Sequence, residues 1–405
     1  MKKLIEVDLQ KPFNQQPTLL HNRWHPDIPA IVNVKPNDEF RVECIDWTGG
    51  QIKNNDNAAD IRDVDLARVH YLSGPIHVEG AKPGDVLVVD ILDIGAFPHE
   101  PWGFTGIFSK QNGGGFLTEH FPHAYKAIWD FHGIYATSRH IPGVKFAGLS
   151  HPGLIGCAPS MSLLHEWNRR EAALIATNPT RVPPLANPPL ISGALVGQLS
   201  GEHAERVKRE GARTVPPREH GGNCDIKNLT RGSRLYLPVY VDGANLSLGD
   251  LHFSQGDGEL TFCGAIEMAG FVDLGIGLIK NGVNKYGMRN PIFKTGNAGP
   301  HYHNFLVFEG ISVDEQGTQH YLDAHISYRM AALNAIEYLK KFGYSGEQAY
   351  MILSAAPIDG RISGIVDIPN ACVTLALPTE IFDFDISPST DPIVKKSRGQ
   401  VAVCG

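Results

Sequence analysis

Ile76-His77-Val78-Glu79-Gly80-Ala81-Lys82-Pro83-Gly84-Asp85-Val86-Leu87-Val88-Val89-Asp90-Ile91-Leu92 reads as strand, turn and strand. Apolar and β-branched runs flank a segment whose Pro-Gly-Asp punctuation marks a turn. Upstream, Phe40-Arg41-Val42-Glu43-Cys44-Ile45 alternates with the period of a half-buried strand, and Val69-His70-Tyr71-Leu72 follows. Short strands between such turns favour an antiparallel sandwich or jelly roll over a doubly wound sheet. No Gly-x-Gly-x-x-Gly or phosphate loop follows a strand, and no internal repeat is visible.

Helical periodicity is confined to a few stretches. Pro159 to Thr177 reads as a helix, as does Gly201 to Gly211. The strongest pattern is Ile326 to Phe342, stopped at Gly343, followed by Ser345 to Ala355 with Ser345 as the cap. The expected class is therefore α+β and β-rich. The Pro-rich span Asn178 to Pro189 suggests a linker or long excursion, giving a β-rich part over 1–177 and an α+β part over 178–384. Residues 385–405 lose periodicity and read as a C-terminal extension, or an arm onto a neighbouring subunit.

With 405 residues, 42% hydrophobic and 20% charged, the chain has the composition of a soluble globular protein. Its formal charge of −7 argues against nucleic acid as a partner. No apolar run long enough for a signal peptide or membrane span follows Met1, so a cytoplasmic location is expected, with no membrane partner. The six cysteines show no Cys-x-x-Cys pair, which points away from a zinc–thiolate site and from a disulfide framework.

Chemistry concentrates in Gly249-Asp250-Leu251-His252-Phe253-Ser254-Gln255-Gly256-Asp257-Gly258-Glu259. Read as a hairpin, it puts Asp250 and His252 on one face of the incoming strand and Asp257 and Glu259 on one face of the chain as it leaves. An imidazole among carboxylates suits a divalent metal or acid–base work on a bound water; the alternative is a polar hairpin tip. Glu267 follows inside an apolar strand, where a carboxylate needs a partner. A second dense segment, Arg218 to Asn228, contains Gly221-Gly222-Asn223-Cys224-Asp225. Its glycines could aim backbone N–H groups at an oxyanion, or could simply form a turn. Asp46 sits just after a strand, as a ligand or as a solvated strand end.

Taken together, His21-Asn22-Arg23-Trp24-His25, the stretch Ser73 to Asp85, His220-Gly221-Gly222-Asn223-Cys224-Asp225, Gly249 through Glu259, and Gly364-Ile365-Val366-Asp367-Ile368-Pro369-Asn370 resemble the acetamidase/formamidase family, closest to its formamidase branch. The resemblance runs from about Leu20 to Ile386. It implies hydrolysis of formamide, and more weakly of other short aliphatic amides, to carboxylate and ammonia. It also implies a CUB-like or jelly-roll-type β-sandwich core combined with α/β elements, and a trimer-based homo-oligomer. By motif, the positions that matter are Asp46, Asn223, Asp225, Asp250, His252, Asp257, Glu259 and Glu267.

The chemistry of amide hydrolysis assigns these residues roles. Asp46, Asp225, Asp250 and His252 are expected to supply the ligands of a divalent metal, Zn²⁺ foremost, that activates water. Asp257, Glu259 and Glu267 are the expected catalytic carboxyls, and Gly221, Gly222 and Asn223 the expected substrate-binding groups. A rival reading makes Cys224 a nucleophile with His220 or Glu219 as base. A third is a non-catalytic jelly-roll binding protein, for which this concentration of acids would be a poor design.

Overall fold

The two strands of the opening stretch form, as Leu72–Val78 and Val86–Ala96, but they enter different sheets. The turn between them, closed by Ala81 N–H to Val78 O (3.2 Å) and Asp85 N–H to Lys82 O (2.9 Å), is a crossover. This structure is a computed structural model describing residues 1–177, 191–297 and 299–405. The expected linker Asn178 to Pro189 lies outside the described residues.

A six-stranded sheet runs in the order Lys2–Ile5, Glu39–Cys44, Gly270–Ile279, Val86–Ala96, Arg234–Pro238, Ile292–Lys294. The larger sheet has eleven strands. Its central run is Trp102–Ile107, Phe262–Met268, Leu246–His252, His151–Gly156 and Gly221–Asn223, and Leu72–Val78 also pairs with Leu246–His252. Both sheets interleave strands from before and after the 178–190 segment, so the expected parts 1–177 and 178–384 build the same two sheets. The inner faces share one apolar core, in which Val42, Val89, Leu237 and Val272 of the smaller sheet join Trp129, Ile155, Leu248 and Ile266 of the larger. Each such fully buried aliphatic stabilises the fold by about 1.5–3 kcal/mol. The class is α+β and β-rich, as expected.

A third layer follows. Phe305–Ile311, Cys372–Pro378 and Asp359–Gly364 make a three-stranded antiparallel sheet, and helices Ala324–Lys341 and Gly346–Ala355 pack between it and the larger sheet. The helices start where capping chemistry dictates. Asp323 accepts from Ile326 N–H (3.0 Å), and Ser345 with Gln348 closes a capping box. The other two expected helices are Met161–Thr177 and Gly201–Glu210.

The C-terminal extension folds back over its own chain. Gln348 Nε2 donates to Arg398 O (2.7 Å), the Arg398 guanidinium lies 3.9 Å over Phe384, and Ala402 pairs with Lys126 in the larger sheet. Among the described residues no helix is long and apolar enough to cross a membrane.

Candidate active site

Three adjacent strands present a row of polar side chains across the larger sheet. His151 opposes His252, and His252 opposes Glu267, so the period-two alternation puts all three on one face. Asp250, two residues before His252, shares that face. Gly153 must be glycine here, since a Cβ would lie 2.5 Å from His252 Cε1 and 2.8 Å from Asp225 Oδ1.

Hydrogen bonding orients the central ring. His151 Nδ1 lies 2.6 Å from Leu149 O, and its Nε2 lies 3.0 Å from Gln255 Oε1. His252 Nδ1 lies 3.2 Å from that Nε2 and 2.9 Å from Gln255 Oε1, an amide oxygen that can only accept, and is therefore protonated. His252 Nε2 then points into the carboxyls, 3.2 Å from Asp250 Oδ1 and 3.1 Å from Glu267 Oε2. Gln255 Nε2 completes the brace by donating to Asp225 O (2.7 Å).

Crowding carboxyls in a water-poor site shifts their proton affinities. Burial, reinforced by Asp250, pushes Asp225 up to about 7 and Glu267 up to about 8, with His252 opposing. Burial and the facing Asp225 carboxyl raise Glu259 well above the usual range. Burial also works to raise Asp250, but His252 and His70 outweigh it and hold that carboxyl low. His252 is the converse case: burial would lower it, yet Glu267 and Asp250 drive it well above an ordinary imidazole.

The cluster opens onto a cavity of about 240 Å³. Its lining combines the polar Asn223, Asp225, Asp250, Glu259 and Glu267 with the apolar Trp47, Leu66, Val69 and Phe108. Asn223 Nδ2 is held by Val215 O (3.1 Å), while its Oδ1 is buried with no hydrogen-bond partner among the described residues. A small ligand with an N–H group would satisfy it.

The pattern of the acetamidase/formamidase family matches residues 6–384. The chain belongs to that family. It is 67% identical to a formamidase of Methylophilus methylotrophus over 96% of both chains, and 61% identical to an acetamidase of Mycolicibacterium smegmatis over 88% of this chain and 90% of the other. A solved structure described as a gamma lactamase from Delftia acidovorans superposes with a TM-score of 0.97 at 62% identity, with both chains fully covered. As an acetamidase/formamidase member the chain is a hydrolase of amide C–N bonds.

In this family member the expected residues divide into two groups. Asp225, Asp250 and His252 offer ligand atoms within 4.8 Å of one another, and His252, Glu259 and Glu267 do likewise. This donor set fits a divalent cation. Four carboxyls crowd one imidazole with few other donors, and Asp225 Oδ1 is buried and unpartnered. Asp46 stands outside both groups: Thr48 N–H (2.9 Å) and Gly50 N–H (2.8 Å) occupy its carboxylate in a local turn. Asp257, expected beside Glu259, faces the other way and ion-pairs with Lys227 (2.5 Å). Gly258 and Glu259 both have positive φ (96° and 45°), and this twist sends the two side chains apart instead of along one strand face.

Gly221 and Gly222 lie in the ladder against His151–Gly156, where a Cβ on Gly221 would sit 2.4 Å from Ile155 O. Their smallness serves strand pairing, and neither lines the cavity. Burial pushes the Cys224 thiol up to about 12. His220 is wedged between Trp24 and Trp167, each 4.5 Å away, and Glu219 is engaged by Arg170 and Trp167. His151, His70 and Gln255 are site members that the sequence reading did not assign. Gln255 lay inside the quoted motif; the two histidines carry no local signal, because cross-strand pairing brings them in.

Proposed function

We propose that the cavity hydrolyses formamide, and more weakly other short aliphatic amides, to the carboxylate and ammonia. One observation carries this reading: a cavity large enough only for a small molecule places an unpartnered amide oxygen, Asn223 Oδ1, beside a His–carboxylate cluster. Asn223 Oδ1 accepts an N–H of the substrate amide and turns its carbonyl carbon toward the cluster. Trp47, Val69 and Phe108 limit the size of the acyl group.

Asp225, Asp250 and His252 would hold a divalent cation, with Zn²⁺ the best match to one imidazole and carboxylates. When bound, such a cation lowers the pKa of water from about 15.7 to about 7 and polarises a carbonyl. With a cation bound, Glu259 and Glu267 would give up the protons they hold in its absence, and a carboxylate so freed would take up the proton released from water and pass it to the leaving nitrogen. His151 and Gln255 fix the ring of His252 throughout.

We also place the protein in the cytoplasm as a trimer-based homo-oligomer. Six unpaired cysteines suit a reducing compartment. Ile362, Ile365, Val366 and Ile368, 50–75% exposed on one hairpin, suit a subunit contact. Light scattering on purified protein would check the mass.

The deciding experiment measures ammonia release from formamide, acetamide and a γ-lactam before and after exhaustive chelation, with metal content determined on the same sample. Activity lost on chelation and restored by one metal supports the reading. Undiminished turnover by metal-free protein overturns the cation's role, and absence of ammonia release overturns the substrate class.

A further inference from the structure

Asp225 and Glu259 meet in the cavity wall through a side-chain hydrogen bond, which lowers the proton affinity of Asp225, while the Asp225 charge raises that of Glu259. They lie on separate segments, one following strand Gly221–Asn223 and the other in the loop after strand Leu246–His252. Neither segment is a regular element able to hold that contact by its own ladder.

We infer that Lys227 is the positioning residue for this carboxyl pair, its ammonium strapping together the two segments that carry Asp225 and Glu259. Lys227 lies two residues after Asp225, and Asp257 two residues before Glu259. The ion pair Lys227 Nζ to Asp257 Oδ1 (2.5 Å) therefore runs alongside the facing carboxyls. Lys227 is 3% exposed and also reaches Asp359 Oδ1 (3.0 Å), which fastens the strap to strand Asp359–Gly364. Asp257 is gripped from every side. Its Oδ2 accepts from Gly360 N–H (2.8 Å), its N–H donates to Ile358 O (3.2 Å), and Tyr328 O–H donates to its carbonyl (2.5 Å).

Glu259 needs such support because its backbone occupies the left-handed region (φ 45°), which a non-glycine residue keeps only where its surroundings hold it. A buried ammonium with two carboxylates can supply that hold where a surface pair could not. The strap touches neither cavity nor ring, so it acts through the separation of Asp225 and Glu259. The inference rests on reading those two residues as members of the amide-hydrolysing site.

The test compares Lys227→Met, Lys227→Arg and Asp359→Asn with the unmodified protein in three readouts: formamide kcat and KM, Zn²⁺ affinity by chelator competition, and thermal unfolding. For Lys227→Met we expect kcat to fall about 10²-fold, KM to move much less, and Zn²⁺ affinity to drop about tenfold, with cooperative unfolding retained. Lys227→Arg should restore most of both, and Asp359→Asn should fall between. Unchanged kcat and Zn²⁺ affinity in Lys227→Met overturns the inference, as does a loss of thermal stability with Zn²⁺ affinity intact. Should Lys227→Met not fold, Asp359→Asn decides, and wild-type kcat and affinity in it overturn the inference. If the unmodified protein releases no ammonia from amides, the functional reading fails instead.

Discussion

His252 Nε2 lies 3.1 Å from Glu267 Oε2, and the two residues oppose one another on neighbouring antiparallel strands. The backbone register itself thus sets the separation of imidazole and carboxyl, with His151 on the next strand against the ring. Replacing His252 with Ala should lower kcat/KM for formamide by at least about 10³-fold while circular dichroism still shows a β-rich fold. Bound metal, measured on the same sample, should be lost.

Asn223→Ala removes the unpartnered amide oxygen from the cavity. The expected result is a kcat/KM for formamide about tenfold lower, carried mainly by KM, as for one lost hydrogen bond of about 1–1.5 kcal/mol. Steady-state kinetics on formamide check it, and an unchanged KM would remove Asn223 from substrate binding.

Metal-free protein should lose stability as pH rises. Asp225 and Glu267 have folded-state values of about 7 and about 8, against roughly 4 in an unfolded chain. Between pH 4 and 8 the folded state thus binds protons that the unfolded chain has released, and stability declines across that window. Thermal melts at pH 5 and pH 8 should show the decline, and saturating Zn²⁺ should flatten it, because a cation takes the place of the protons.

Val69→Ala enlarges the acyl side of the cavity. Acetamide should gain about tenfold on formamide in the ratio of kcat/KM, with a stability cost of about 1–3 kcal/mol. A competition assay with both amides reads the ratio directly.

Cys224→Ser should keep near-wild-type turnover, and iodoacetamide should inhibit the parent protein little. A thiol raised to about 12 is scarcely ionised at neutral pH, and neither His220 nor Glu219 is available to it.

What the sequence revealed of this site depended on distance along the chain. Asp250 and His252 were legible because strand alternation is a local rule, and Glu267 because a carboxylate within Phe262-Cys263-Gly264-Ala265-Ile266 demands a partner. Helix starts at Asp323 and Ser345 were close to legible for the same reason. The parting of Asp257 from Glu259 was not, since it turns on the backbone twist at Gly258 and Glu259. The separation of Asp46 from the cluster was not legible either, because it depends on Thr48 and Gly50 taking up its oxygens in a local turn. Gly221-Gly222 looked like an anion cradle, but the strand that requires its smallness begins some seventy residues earlier, at His151. His151 and His70 could be found only after the pairing of the strands was known.

The return of residues 385–405 bears on self-association. Ala402 exchanges both backbone hydrogen bonds with Lys126 (3.1 and 2.9 Å), in the part of strand Tyr125–His132 that Tyr135–Ser138 leaves unpaired. Uncovered, that stretch of backbone N–H and C=O groups would be a template for a strand of another chain, so the returning segment also guards the sheet against edge-to-edge aggregation.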